Sequence, residues 1–267
     1  MPPIITKRAL IVVKTYPVPS ESGIESSCTA AITDSGEWLR LYPVPWRLLA
    51  NDQRFRKYQW VEVDVTKAPS DPRPESHHLV RDGIRILSNP LPNSRHWQAK
   101  KDVVYPLSSP SLCWLSRQRD ANFHPTLGLF RPSEIRRLRF YPEADPDWSE
   151  SQRLMLRQTH LFVEPPREEL QKIPYKFVYE FRCDDDDCRG HNLMCTDWEM
   201  LESYREWTVR YGDRWQEKFR LRYEEEMIRK NDTHFFVGTV ASHPHSWIII
   251  GLFYPTKDPA EGQGRLF

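Results

Sequence analysis

Prolines interrupt this chain so often that long, unbroken strands and helices are disfavoured over much of its length. The 267 residues include 23 prolines but only 10 glycines. Because proline removes a backbone donor and ends helices and central strands, this spacing favours short strands joined by stiff loops. The chain contains neither GxGxxG nor GxxxxGK[ST]. The missing motifs argue strongly against a Rossmann or P-loop nucleotide enzyme.

The first part of the chain has the pattern of short β-strands. Residues 9–14 and 28–32 are apolar, β-branched runs, and the second ends at the hairpin-forming turn 34–36. Residues 59–65 alternate between valine and polar or aromatic residues, as a strand with one buried face does. Several short strands separated by turns predict a small antiparallel β-barrel-like domain, which we place at residues 1–142.

The remainder predicts an α+β domain, so the fold class of the chain is α+β. Ser149 follows an acidic, proline-containing linker and is a suitable helix N-cap. Thr196 with Glu199 three positions later forms a capping-box pattern that opens a helix of about 14 residues. We assign residues 143–256 to an acidic α+β domain and residues 257–267 to a flexible tail.

Charge is unevenly distributed along the sequence. Residues 1–140 carry 21 Lys and Arg against 13 Asp and Glu, whereas residues 141–267 carry 17 against 24. A basic half suits a polyanionic partner such as DNA or RNA. The alternative is that these charges pair with one another inside the protein.

The sequence predicts neither membrane insertion nor export. Its longest apolar stretch, residues 247–254, has the length of a strand rather than of the roughly 18 residues that a spanning helix needs. The first residues lack an apolar segment followed by a cleavage site. A cytoplasmic location is therefore expected.

One short segment concentrates metal-ligating side chains. Cys183, Cys188, His191 and Cys195 follow the spacing C-x4-C-x2-H-x3-C within 13 residues. Thiolate and imidazole ligands at short spacing are typical of a tetrahedral structural Zn²⁺ site. The sequence therefore predicts a structural zinc with these four ligands. The alternative is a group of reduced thiols beside the acidic loop 184–187.

A second candidate surface lies on a predicted strand of the barrel. Strand geometry places Trp38, Arg40 and Tyr42 on one face, where two rings and a guanidinium would form a stacking platform for unpaired bases. Further basic residues that would contact the nucleic-acid backbone follow in the sequence: Arg47, Arg54, Arg56 and Lys57. The alternative is that both rings pack under proline-rich loops and Arg40 extends over them.

The last five residues resemble a known docking peptide. Gln263, Leu266 and Phe267 match the Gln-x-x-Leu-Phe pattern by which bacterial DNA polymerases and repair proteins bind the sliding clamp. The resemblance implies that Gln263 binds in a polar subsite and that the two apolar residues fill an apolar pocket. The alternative is a tail that folds back onto its own domain.

The sequence as a whole also resembles bacterial proteins of unassigned function, over most of its length. The resemblance implies a bacterial, cytoplasmic setting and brings no activity with it. It rests on the following residues and stretches: 173–177, Cys183, Cys188, 190–191, 197–199 and 246–251.

These features favour a nucleic-acid-associated accessory protein that contacts single-stranded or distorted DNA or RNA. Zinc would stabilise its body, and the tail would dock on a sliding clamp in replication or DNA repair. One alternative is a nuclease or base-processing enzyme, although paired carboxylates, a nucleophile elbow and the HxE…PCxxC deaminase pattern are missing, and catalytic residues are therefore unknown. Another alternative is an interaction subunit of a bacterial defence assembly.

Overall fold

A computed structural model describes residues 2–21, 25–157 and 168–258 of the chain. The chain divides into two compact units that alternate along the sequence. The barrel unit comprises Met1–Pro90, Phe140–Lys176 and Thr196–Glu202, and the sheet unit comprises Leu91–Arg139, Phe177–Cys195 and Ser203–Phe267. In the described part of the chain, every helix is too short or too polar to span a lipid bilayer.

The barrel unit is built around a closed barrel of five strands, as the N-terminal pattern predicts. The unit has six strands, of which all but β2 form the barrel: β1 (Ile5–Lys14), β2 (Val18–Pro19), β3 (Glu25–Thr33), β4 (Trp38–Val44), β5 (Trp60–Lys67) and β6 (Ser76–Ile86). The order is β1-β5-β6-β4-β3, and β1 closes the barrel by also pairing with β3. Four of these pairings are antiparallel, and the β4–β6 pairing is parallel. The short strand β2 extends β3 outside the closed ring.

Alternation of side chains along the strands creates the barrel core. Val61, Val63 and Val65 of β5 pack in one fully buried cluster with Leu39 and Leu41 of β4. The intervening residues of β5 are only partly buried, as the period of two requires. The hairpin between β3 and β4 forms at the predicted turn, where Gly36 adopts a φ of 79°.

The barrel unit also contains α3 (Glu150–Leu156) and the start of α4 (Trp198–Tyr211). Ser149 caps α3 as predicted: its hydroxyl accepts from the Gln152 N–H, and the Gln152 side chain accepts from the Ser149 N–H. The cap of α4 differs from the prediction, because Asp197 rather than Thr196 accepts from the N–H of Met200, at 3.1 Å. The 14-residue length of α4 matches the expectation.

The sheet unit contains a seven-stranded sheet of order β7-β8-β12-β13-β11-β10-β9. Its strands are β7 (Ser108–Ser109), β8 (Leu127–Phe130), β9 (Glu134–Pro142), β10 (Tyr175–Arg182), β11 (His191–Cys195), β12 (His234–Val240) and β13 (His243–Phe253). Its helices are α1 (Ser94–Val104), α2 (Leu112–Asn122), the greater part of α4, α5 (Trp215–Arg220) and α6 (Glu226–Arg229). A π-helical turn, Leu221–Glu225, joins the last two helices.

Aromatic residues fill much of the interior of the sheet unit. The rings of Phe177 on β10 and Phe219 on α5 stack at 4.7 Å, and Tyr223 lies 4.7 Å beyond Phe219. The buried Tyr179 hydroxyl donates to the carbonyl oxygen of Tyr223 at 2.6 Å, so its polar atom is satisfied. These contacts fix the helical layer against β10, the strand that leads into the cysteine-containing loop.

Candidate metal centre

Three structural elements of the sheet unit bring four metal-ligating side chains together. Cys113 lies in the first turn of α2, and His191 is the first residue of β11. Cys183 and Cys188 lie in the loop that joins β10 to β11. The three sulfur atoms and one imidazole nitrogen all lie within 4.8 Å of one another. The cluster could therefore hold a metal ion.

The separations between these atoms fit a tetrahedral site. The Nε2 atom of His191 is 3.3 Å from the Cys113 sulfur and 3.4 Å from the Cys188 sulfur. Around one Zn²⁺ with Zn–S near 2.3 Å and Zn–N near 2.0–2.1 Å, tetrahedral angles place sulfur and nitrogen about 3.6 Å apart. The residues are thus close to the arrangement that a metal would require.

Backbone donors already surround two of the sulfur atoms. The N–H of Leu112 donates to the Cys183 sulfur at 3.3 Å, and the N–H of Cys183 donates to the Cys188 sulfur at 3.2 Å. Burial opposes ionisation of Cys188, but hydrogen bonds from the N–H groups of Cys183 and Gly190 and from the Cys113 and Cys183 thiols outweigh it. The pKa of the Cys188 thiol is therefore lowered. Gly190 permits this turn because its φ is 92°.

Burial is the largest influence on the pKa values of the other three ligands. Burial, followed by the neighbouring cysteines, raises the pKa of Cys113 to about 12, and burial also raises the pKa of Cys183. Burial lowers the pKa of His191, which keeps its imidazole neutral and able to coordinate. A cation placed among these groups would favour the thiolate forms, since binding requires deprotonated sulfur. The N-terminal position of Cys113 in α2 acts in the same direction.

A polar contact connects the cysteine-containing loop to α2. Ser111, the N-cap of α2, donates to the Asp185 carboxylate at 3.1 Å, and Arg117 pairs with the same carboxylate at 2.8 Å. Asp184, Asp186 and Asp187 are exposed. Asp185 therefore holds the loop close to the helix that carries Cys113.

Cys195 is not part of this cluster, and Cys113 occupies the fourth position instead. Cys195 lies at the far end of β11, four residues beyond His191. Because a strand rises about 3.3 Å per residue, the Cα atom of Cys195 lies roughly 13 Å from that of His191. Its side chain is 2% exposed, and it pairs in register with Phe177 and Ile249 in the sheet.

Cys113 is 70 residues from Cys183 in the sequence, so spacing alone does not connect the two. The available signal is the N-cap pattern at Ser111, which places Cys113 in the first turn of a helix. The helix N-terminus favours the thiolate form at that position, although burial acts against it in Cys113. This signal marks Cys113 as a candidate ligand without identifying its partners.

The predicted stacking strand is only partly exposed. Arg40 is 3% exposed and pairs with Glu75 at 3.2 Å, so its guanidinium is held inside the barrel unit. Trp38 is partly buried, whereas Tyr42 retains 43% of its surface. The structure therefore exposes the two rings to different extents, and it leaves Arg40 buried and paired with Glu75.

Of the other four basic residues, two bond to carboxylates and two are exposed. Arg47 pairs with Glu25 at 3.1 Å and also donates to the carbonyl oxygen of Glu168. Lys57 is buried and donates to the carboxylates of Asp197 and Glu199. Arg54 and Arg56 are exposed, although Arg54 donates to two backbone carbonyl oxygens.

The basic excess of the N-terminal half does not lie in the barrel. Residues 1–90 carry 12 Lys and Arg against 10 Asp and Glu, whereas residues 91–139 carry 9 against 3. Within the sheet unit, several of these later arginines form ion pairs with acidic residues of the C-terminal half: Arg117 with Asp185, Arg131 with Asp232, and Arg137 and Arg139 with Glu180. Internal pairing thus accounts for much of the charge asymmetry.

The predicted docking residues Gln263, Leu266 and Phe267 lie outside the described residues, which end at residue 258. Their role therefore stays a prediction.

Two family models cover nearly the whole chain. "Domain of unknown function (DUF8758)" matches residues 5–106, which include all the strands of the barrel, and "Domain of unknown function (DUF8757)" matches residues 108–267. The chain belongs to the DUF8757 family. All four residues of the metal cluster lie in the DUF8757 region.

Comparison with solved structures finds a distant likeness to one described as "Structure of murine DNA binding protein bound with ds DNA". It covers 95% of this chain and 97% of that chain, with 7% sequence identity and a TM-score of 0.33. A TM-score this low does not establish a shared fold, so the likeness carries no functional argument for this DUF8757 protein. No curated protein matches the chain.

Proposed function

We propose that Cys113, Cys183, Cys188 and His191 hold a structural Zn²⁺ that stabilises the sheet unit. The observation that carries this proposal is the convergence of four ligand atoms within 4.8 Å from three separate elements. Three thiols and one imidazole suit Zn²⁺, whereas Mg²⁺ and Ca²⁺ prefer oxygen ligands. Four protein ligands complete a tetrahedral shell, and this is typical of structural sites rather than of catalytic ones.

The test is elemental analysis of the purified protein together with two cysteine variants. We expect about one zinc per chain in the parent protein, and strong loss of zinc in Cys113→Ser. Cys195→Ser is the matched control, because it removes a buried thiol of the same unit that lies outside the cluster. Thermal unfolding with and without a chelator should show a loss of stability in the parent that exceeds the loss in Cys113→Ser. Zinc-free parent protein, or zinc retained in Cys113→Ser and lost in Cys195→Ser, would overturn the proposal.

We further propose that the zinc-stabilised protein binds single-stranded nucleic acid through the exposed part of the barrel unit. Three residues support this proposal: the exposed Tyr42, the partly exposed Trp38 and the exposed Arg56. Aromatic rings that stack on bases, next to cations that follow the phosphates, form sequence-tolerant binding surfaces. Because Arg40, Arg47 and Lys57 are paired internally, the expected affinity is modest and comes mainly from the rings.

Binding is measured by fluorescence anisotropy with labelled single-stranded DNA and RNA at low and high salt. Tyr42→Ala should weaken binding about 5- to 150-fold, which corresponds to the roughly 1–3 kcal/mol of one stacked base. Tyr141→Ala is the matched control, because Tyr141 is 44% exposed and lies in the same unit. Equal affinities for the two variants would refute the role of Tyr42. A parent protein that shows no salt-sensitive binding would refute nucleic-acid association altogether.

A further inference from the structure

Lys14 is an unusual lysine of the barrel unit. It is the last residue of β1 and only 8% of its surface is exposed. Its ammonium nitrogen lies 3.6 Å from the ring centroid of Trp46 and 4.0 Å from that of Trp198. The two indoles are themselves 5.2 Å apart and inclined at 69°. The amine therefore lies between two aromatic rings. Lysine side chains are rarely buried to this extent.

The Lys14 amine also lacks a conventional partner. Within residues 2–21, 25–157 and 168–258, no side-chain hydrogen bond or ion pair of Lys14 is found. The Lys14 nitrogen is not among the fully buried polar atoms that lack a partner in this part of the chain. Solvent therefore reaches it. Buried ammonium groups normally have acceptors, because desolvation of an unpaired charge is costly. Burial therefore shifts the protonation equilibrium of this amine toward the neutral form.

A second lysine, Lys57, forms ion pairs with the nearby carboxylates. The Lys57 ammonium donates to Asp197 at 3.0 Å and to Glu199 at 3.2 Å. Backbone pairing brings these groups together: Thr15 pairs with Asp197, and the Tyr16 N–H donates to the Thr196 carbonyl oxygen. Lys57 thus occupies both carboxylates, and Lys14 forms an ion pair with neither of them.

We propose that Lys14 is a nucleophilic amine that condenses with the carbonyl group of an aldehyde to form an imine. The Nζ lone pair attacks the carbonyl carbon, and the carbonyl oxygen takes up a proton as the C–O π bond breaks. Loss of one water molecule then forms the C=N bond, with the nitrogen giving up its protons and with no net oxidation or reduction. A lysine in an apolar site beside another cation is the arrangement that activates amines for this reaction.

Electrostatics around Lys14 agrees with this role. Burial lowers the pKa of Lys14 to about 8; the charge of Lys57 acts in the same direction, while Glu199, Asp197 and Glu202 partly oppose it. At pH 7 roughly a tenth of such an amine is neutral, about 300-fold more than for a lysine of pKa near 10.5. The indole faces and Glu199 would stabilise the positive charge of the protonated imine.

The aldehyde could belong to a small molecule or to the opened sugar of an abasic nucleotide, and two probes separate these sources. The full-length protein is incubated with pyridoxal 5′-phosphate in one arm and with a single-stranded oligonucleotide containing one abasic site in the other. Borohydride reagents then reduce any imine to a stable amine, and peptide mass mapping locates it. An adduct on Lys14 in either arm supports the proposal, and the arm that reacts identifies the source.

The expected result in a reactive arm is modification of Lys14 at least about 10-fold faster than that of Lys218, with a rate that rises to half its maximum near pH 8. Lys218, which is 33% exposed, is the reference lysine, and Lys218→Arg should leave the adduct unchanged. Lys14→Arg should abolish the adduct because a guanidinium does not form an imine. Mapping on the native parent keeps the test valid if that variant fails to fold. The proposal is wrong if Lys14 reacts with neither probe, or no faster than Lys218. Neither result depends on zinc content or on the Tyr42 surface.

Discussion

The Lys57–Asp197 pair offers a sharp test of how the barrel unit is held together. Both side chains are almost completely buried, with 3% and 2% exposure, and their charged atoms are 3.0 Å apart. Asp197→Asn preserves the size of the side chain and keeps an oxygen that can cap α4. The substitution therefore removes the charge of Asp197 and little else. It leaves the buried Lys57 ammonium facing a neutral amide, with the half-exposed Glu199 as its remaining carboxylate partner.

We expect Asp197→Asn to lower the free energy of unfolding by about 3–5 kcal/mol, the usual cost of removing one partner from a buried ion pair. That is a large part of the 5–15 kcal/mol that stabilises a typical domain. Glu199→Gln is the control, because Glu199 bonds to the same ammonium but its side chain is 51% exposed. Solvent screening limits the expected effect of this control to at most about 1 kcal/mol.

Urea titration followed by tryptophan fluorescence measures these differences, since Trp198 is adjacent to the substituted residue. The double variant Lys57→Met with Asp197→Asn should recover part of the lost stability, because it removes the buried ammonium as well. A loss below 1 kcal/mol in Asp197→Asn, or equal losses in Asp197→Asn and Glu199→Gln, would refute the reasoning. The charged pair would then contribute no more than a surface contact.

Two further predictions concern a buried histidine and the C-terminal tail. Burial lowers the pKa of His234 below its ordinary 6.5, so the unfolded state binds more protons and stability should fall as the pH drops below about 6.5. His234→Gln should reduce the change in melting temperature between pH 7 and pH 5.5, and an unchanged difference would contradict this. Deletion of residues 263–267 should abolish retention on a bacterial sliding clamp with little change in melting temperature, whereas Gly264→Ala should bind as the parent does. Clamp binding by the deleted form would contradict the docking role.

Local patterns predicted much of the barrel unit. The period of two along β5 and the turn before β4 specify short paired strands with one buried face, and both features occur in the structure. The N-cap at Ser149 depends only on residues within one helical turn, and it also forms as expected. The parallel β4–β6 pairing and the closure of the barrel by β1 and β3 depend on tertiary pairing between strands, which such patterns do not specify.

The metal cluster shows the same division between local and distant information. Cys183, Cys188 and His191 lie in and beside one hairpin loop, so their spacing was informative. Spacing could not separate Cys195 from Cys113, because the deciding fact is that β11 continues straight from His191 and carries Cys195 into the sheet. The fourth ligand, Cys113, comes from the first turn of α2, which only the fold places beside the loop.

The start of α4 shows why a local rule can fail by one residue. Thr196 and Glu199 satisfy the capping-box pattern, but the Thr196 carbonyl oxygen accepts from the N–H of Tyr16 and residue 197 pairs with residue 15. Because this pairing holds the chain extended through Thr196, the helix begins one position later and Asp197 becomes its cap. The same pairing brings the Asp197 carboxylate to Lys57, at the strand end that carries Lys14. One tertiary contact therefore sets both the helix start and the charges around the proposed nucleophile, and Asp197→Asn probes the charges while keeping the cap.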